Sequence, residues 1–220
     1  MSQKSNACEK LWERKPLRSR VPVVTYLLIL ANVMVFLYMM SLPELDFINF
    51  INKYGLVPES IMQGERLPTL ITSMFIHFDL IHLFSNMLFL FIAGDECERA
   101  MGNSKFLAFY IISGVGSGLF HTYMNSMSSI PAIGASGAIF GVLAAFAILF
   151  PFRMVISFVG FIPVPLPAIF FVVLTVGLET FYVFTGVNPH VAHTAHIGGF
   201  LLGVFFTLLF GPSKREAEEA

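Results

Sequence analysis

Apolar runs separated by short polar stretches set the layout of this 220-residue chain. Six runs stand out, at residues 21–40, 80–93, 106–124, 133–152, 161–185 and 195–210. A helix crossing a bilayer needs about 20 mostly apolar residues, so the pattern predicts six transmembrane helices. The second and sixth runs are short, and each carries a histidine near its first end. Both predict helices that run on past the purely apolar stretch. Residues 41–79, between the first two runs, form a long connection of mixed polarity. Connections of that length are as a rule functional or disordered. Phe47, Ile48, Phe50, Ile51, Leu56 and Ile61 recur through it and predict short amphipathic helices at the membrane interface. In the fifth run, "FIPVPLPAIFF" places Pro163, Pro165 and Pro167 on alternate positions, which a regular helix interior does not hold. That helix is expected to start late and to be loosely tied at its cytoplasmic end.

Composition agrees with a lipid solvent. Hydrophobic residues make up 56% of the chain and charged residues 12%, with a mean hydropathy of +0.76; soluble domains are about one quarter charged. A net charge of −1 gives no electrostatic footprint for nucleic acid. Cys8 and Cys97 make no disulfide framework. The first 20 residues are polar, with no apolar core before a small-residue cleavage site, so no secretory signal is expected.

Lysine and arginine segregate across the predicted spans. Eleven fall in the N-terminal tail, the second and fourth connections and the C-terminal tail; only Lys53 and Arg66 fall on the other side. The positive-inside rule then puts both termini in the cytoplasm, and an odd number of spans would destroy the segregation. The expected architecture is an all-α, polytopic bundle in the cell membrane. It comprises a basic tail (1–20), a six-span domain (21–210, outer loop 41–79) and a charged tail (211–220).

Polar groups inside spans are functional candidates by default. Here they are His82 and Asn86 in span two, His121 in span three, Ser136 at the head of span four, Glu179 in span five and His196 at the head of span six. His77, His190 and His193 lie nearby, toward the outer side. At 1.5 Å per helical residue, Ser136 lies roughly 24 Å above Phe152 and His196 roughly 21 Å above Phe210, so the two share a depth. His82 and Asn86 are i and i+4 on one helix face and enter from the same side. Each polar group also has a plainer use. The serine of "GASGAIFG" (134–141) suits helix packing or capping as well as nucleophilic attack. Gly137/Gly141, Gly114/Gly118 and Gly199/Gly203 are GxxxG pairs of the kind that pack helices. Close approach of spans four and six through those glycines would bring Ser136 to His196, as nucleophile to general base.

"HLFSN" (82–86), "GASG" (134–137) and "AHIGGFLLG" (195–203) together resemble the rhomboid family of intramembrane serine proteases, over roughly residues 21–210. The resemblance implies Ser136 as nucleophile and His196 as general base and acid, in a dyad without a carboxylate. It implies His82 and Asn86 as the oxyanion-stabilising pair. Glu98 matches a cytoplasmic-side position that holds the helical core, the loop 41–79 a membrane-embedded outer loop, and span five a lateral gate. Phe181 and Phe184 near the outer end of that span are expected to hold it closed. Implied substrates are membrane-spanning polypeptides cut near the outer face, with small side chains before the scissile bond. Two departures stand out. The outer loop lacks the Trp-Arg pair of many members, since Trp12 is the only tryptophan. Phe140 occupies the place of a tyrosine that packs on the catalytic histidine.

Hydrolysis by this set needs His196 to take the Ser136 proton and return it to the leaving amine. Donors for the oxyanion are the Ser136 backbone N–H, the Asn86 amide and the His82 ring. Phe140, one turn after Ser136, is placed to orient the imidazole. Three other readings compete. Zinc bound by His190, His193 and His196 with Glu179 or His77 lacks the HExxH pattern of zinc proteases, so no metal and no cofactor is expected. A transporter would cluster polar groups at the midplane between repeats, and no repeat is visible. A non-catalytic relative that binds membrane proteins would have no need of both Ser136 and His196.

Overall fold

The computed structural model describes residues 21–159, 162–187 and 191–212. The tail 1–20, residues 213–220 and His190 lie outside the described residues. Helix α1 (Val23–Met40) leads into α2 (Glu44–Tyr54), α3 (Pro58–Met62), α4 (Thr69–Thr72) and a 3-10 turn (Ser73–Phe75). Next come α5 (Leu80–Phe89), a π turn (Leu90–Gly94), α6 (Asp95–Met101), α7 (Asn103–Met124) and α8 (Ser136–Leu149). Strands β1 (Met154–Val159) and β2 (Ile162–Pro167) precede α9 (Ala168–Thr185) and α10 (His193–Phe210). Among the described residues, five helical stretches are long and apolar enough to cross a membrane: α1, the continuous Leu80–Met101, α7, α9 and α10. The chain is a multi-pass, mainly helical membrane protein.

Helix α8 sits at the centre. All its residues except Ser136 and Ile148 are buried, because its glycines and alanines let neighbours close on every side. At 14 residues it is about 21 Å long, shorter than a hydrocarbon core of about 30 Å. The outer helices turn large apolar side chains away from the protein, as Leu27, Leu30 and Met34 of α1 and Phe205 and Leu208 of α10 do. Such an inside-out surface suits lipid.

Several boundaries differ from the apolar runs. The second span continues beyond Ala93 through the π turn to Met101, and the sixth begins at His193. Residues 133–135 are not helical: Gly134 has φ +118° and its N–H donates to the Ser73 carbonyl at 2.9 Å. The largest difference is in the fifth run. Residues 162–167 are extended and pair antiparallel with β1, with Ile156 opposite Pro165 and Met154 opposite Pro167, so the helical bundle carries one small hairpin. Alternate prolines lack N–H groups on one edge of the strand and exclude helix. Helix α9 starts late, as expected, but is not loose at that end. Its three buried residues, Ala168, Phe171 and Val172, all lie in its first two turns. The Ala168 and Ile169 N–H groups donate to the carbonyls of Arg153 (2.8 Å) and Pro151 (3.1 Å). The outer half is the loosely packed half, and there Phe181 and Phe184 are 55% and 85% exposed. They face outward and cannot hold the helix shut.

Backbone contacts tie down the outer connection. Arg66 Nη2 donates to the carbonyls of Asn52, Lys53 (2.8 Å) and Gly55 (3.2 Å) at the end of α2, where a cation meets the helix's negative end. Thr72 Oγ1 donates to the Tyr54 carbonyl at 2.7 Å, and Leu56 and Ala132 exchange backbone bonds. Of the apolar residues that recur through this connection, Ile51, Leu56 and Ile61 are buried while Ile48 is exposed. At the other end of the bundle, buried Glu98 accepts from the Val24 N–H (2.8 Å), the Thr25 N–H (2.7 Å) and the Thr25 hydroxyl (2.8 Å). It caps the orphan donors at the start of α1.

Candidate active site

Two glycine contacts fuse α8 to α10. A Cβ on Gly199 would stand 1.9 Å from the Gly137 carbonyl oxygen, and one on Gly203 would stand 2.4 Å from that of Gly141. Backbone therefore lies on backbone, as small-xxx-small pairs permit. Helix α7 closes the third side, with Ser117 Oγ donating to the Ala195 carbonyl at 2.6 Å. The pair Gly114/Gly118 packs instead on the outer connection, against Met74, Leu56 and Leu70.

The α8–α10 contact places Ser136 Oγ 2.7 Å from His196 Nε2. His196 is buried, and the Phe140 ring stacks on it at 4.4 Å and 5°. Beyond the ring, Glu179 Oε2 lies 2.9 Å from His196 Nδ1. That oxygen is off the ring N–H axis, so the contact is close in distance without being an aligned hydrogen bond. The same oxygen is 2.5 Å from His193 Nδ1, and the Tyr182 ring packs on His193 at 5.1 Å. A carboxylate thus stands on the far side of the histidine, where the family resemblance implied none. Glu179 was legible as a charge within a span and was set beside His196 only in the competing zinc reading; nothing in the spacing pointed it at Nδ1 as a partner of the base.

The candidate donors lie on α5. Asp79 caps that helix, accepting from the His82 N–H at 2.7 Å. A Cβ at Gly134 would meet His82 Nε2 at 2.7 Å and Ser136 Oγ at 3.7 Å, so the His82 ring and the serine flank the same glycine. Asn86 is buried, with Nδ2 donating to the His82 carbonyl at 2.8 Å; its second N–H is open to another acceptor. His121 serves the outer ends of α7 and α10 through Thr194 Oγ1 at 2.6 Å. His77 is fully buried outside the spans, edge-on to His82 with ring centroids 4.9 Å apart. Burial lowers its pKa to about 3, with the neighbouring His82 adding to the effect. Beside Ser136 lies a cavity of about 40 Å³ lined by Gly134, Gly137, Ser117, Ala192 and Ala195.

One donor atom each from Glu179, His193 and His196 falls within 4.8 Å of the others, a set a divalent metal ion accepts. In this structure Glu179 already pairs with both histidines, and His196 Nε2 is engaged by Ser136.

A Rhomboid domain matches residues 64–213, more than half of the chain. The chain is 32% identical over 156 residues to Rhomboid protease AarA of Providencia stuartii, covering 63% of this chain and 54% of that protein. It is 34% identical over 120 residues to Rhomboid protein 1, mitochondrial, of Saccharomyces cerevisiae, covering 53% and 34%. Rhomboid protease GluP of Bacillus subtilis matches at 26% over 198 residues, covering 89% and 36%. The chain spans about half or less of the length of these curated relatives. With the glycine-locked helices and the domain match together, the chain belongs to the rhomboid family.

Proposed function

We propose that this protein is an intramembrane serine endopeptidase that cuts membrane-spanning polypeptides near the outer membrane face. The observation that carries the reading is the 2.7 Å contact between Ser136 Oγ and His196 Nε2 inside the bundle. Ser136 Oγ attacks the scissile carbonyl carbon while His196 Nε2 takes its proton. The proton then passes to the leaving amine as the C–N bond breaks, and water resolves the acyl-enzyme by the same route. The Ser136 N–H stands in the first turn of α8, where N–H groups have no intrahelical partner. It joins His82 and Asn86 as a donor to the oxyanion. The cavity beside Ser136 suits a small side chain before the scissile bond. Loose packing of the outer half of α9 supports lateral entry there, with the hinge at its hairpin end. The positive-inside pattern supports an orientation with both termini on the cytoplasmic side of the cell membrane.

The test is cleavage of a single-span substrate by the purified chain, together with fluorophosphonate labelling. Ser136→Ala and His196→Ala each abolish cleavage with the fold intact. Asn86→Ala lowers kcat at least tenfold, as an order-of-magnitude expectation for one lost oxyanion donor, with KM nearly unchanged. Turnover by folded Ser136→Ala protein ends the serine-protease reading. A wild type that neither cleaves nor labels leaves the non-catalytic, membrane-protein-binding alternative.

A further inference from the structure

A carboxylate in an apolar membrane helix costs several kcal/mol unless it is paired, and Glu179 has one seventh or less of its side chain exposed (13%). Its charge therefore needs a use, and its partners are the two histidines of α10. Resting on the protease reading of His196, we propose that Glu179 is a positioning residue for that base, completing a Ser136–His196–Glu179 line across two helix interfaces.

The geometry divides the work. Phe140 stacks on the face of the His196 ring, which fixes the plane of the ring but not which nitrogen carries the proton. Ser136 engages Nε2, and Glu179 Oε2 lies 2.9 Å from Nδ1. A carboxylate at Nδ1 favours the tautomer protonated there, leaving Nε2 as an acceptor for the serine proton. As Oγ bonds to the carbonyl carbon, the proton moves to Nε2, and the imidazolium keeps its Nδ1 hydrogen beside the carboxylate. The Nε2 proton then leaves with the amine, and Glu179 stays ionised throughout. His193 Nδ1, 2.5 Å from the same oxygen, holds the carboxylate in place. The oxygen lies off the N–H axis in this resting arrangement. Catalytic hydrogen bonds often align only when substrate is bound.

The test compares wild type, Glu179→Gln and Glu179→Ala as full-length purified protein. It measures kcat and KM on a single-span substrate, the fluorophosphonate labelling rate of Ser136, and thermal unfolding. Loss of the carboxylate from an aligned serine-protease triad costs about 10⁴ in kcat. Here the contact is off-axis and Phe140 remains, so the expected loss is about 10- to 100-fold. The loss falls in kcat with KM within about twofold, labelling slows in parallel, and Gln lies between wild type and Ala. Gln keeps the shape and an acceptor but not the charge, so a merely structural role leaves its kcat at the wild-type value. That result, or a loss confined to KM or to unfolding temperature, overturns the proposal. Faster cleavage by Glu179→Gln overturns it too, by making Glu179 a latch on α9. Activity abolished by EDTA and restored by zinc makes Glu179 a metal ligand and refutes the positioning role. If the wild type itself is inactive, the protease reading falls first and this one with it.

Discussion

Replacing Gly199 by alanine tests whether the reactive pair is built by backbone contact between α8 and α10. The added Cβ would lie 1.9 Å from the Gly137 carbonyl oxygen, whereas ordinary contact begins at 3.4 Å. The obstacle is backbone, not a side chain that can swing away. Relief therefore means moving the helices apart by about 1.5 Å, the difference between those two distances. Gly137 directly follows Ser136, and His196 is one turn before Gly199. A separation of that size stretches the 2.7 Å Oγ–Nε2 contact to about 4 Å, beyond hydrogen-bond range. General-base assistance is worth about 10²–10⁴ in rate. Gly199→Ala should thus cut substrate cleavage and fluorophosphonate labelling at least about 100-fold. Overpacking should cost about 1–3 kcal/mol of stability. Gly203→Ala, with its clash at 2.4 Å and one turn farther from the pair, should give a smaller loss. Gly177→Ala is the matched control. Nothing lies within 4 Å of its added Cβ, so activity should hold and helix propensity should add up to about 1 kcal/mol. Wild-type cleavage and labelling by Gly199→Ala at an unchanged unfolding temperature would refute the backbone-contact account.

Two further outcomes concern stability. Glu98→Gln removes the charge and one acceptor from the three donors at the start of α1. It should cost about 2–3 kcal/mol by the worth of charge-assisted bonds, read as a lower unfolding temperature in detergent; an unchanged temperature means water replaces the carboxylate. His77 should make stability acid-sensitive. It is neutral when folded, with a pKa of about 3, and takes a proton near 6.5 when unfolded. The unfolded state thus binds more protons between those limits, so stability falls as pH drops through that window, by about 2 kcal/mol at pH 5. Unfolding temperatures of wild type and His77→Leu at pH 7 and pH 5 isolate this effect. Equal acid slopes in the two proteins assign the sensitivity elsewhere.

What the sequence made legible follows from where each residue's position is fixed. Ser136 and His196 sit on helices joined by Gly137, Gly141, Gly199 and Gly203, and that spacing is written in the chain. Matched depth along two straight helices then brought serine to histidine. The histidine's other partner was not legible, because depth says nothing about rotation. Glu179 lies eleven residues after Ala168, and each residue turns a helix by about 100°. Moving the start of α9 by one residue would carry the carboxylate to a different face. That start is set by the hairpin: Pro163, Pro165 and Pro167 excluded helix before Ala168, while pairing with β1 and the bonds from Ala168 and Ile169 fixed where it begins. Antiparallel pairing across a short hairpin leaves no mark on helical periodicity, so the prolines showed that the helix starts late but not at which residue. The same hairpin explains why the loose end of α9 is its outer one. The hinge is tied by backbone bonds, and the outer half carries the carboxylate toward His196 with few buried side chains to steady it. Whatever moves that half of the helix therefore also moves the group beside Nδ1, so the proposed entry of a substrate along α9 and the proposed alignment of His196 draw on the same segment.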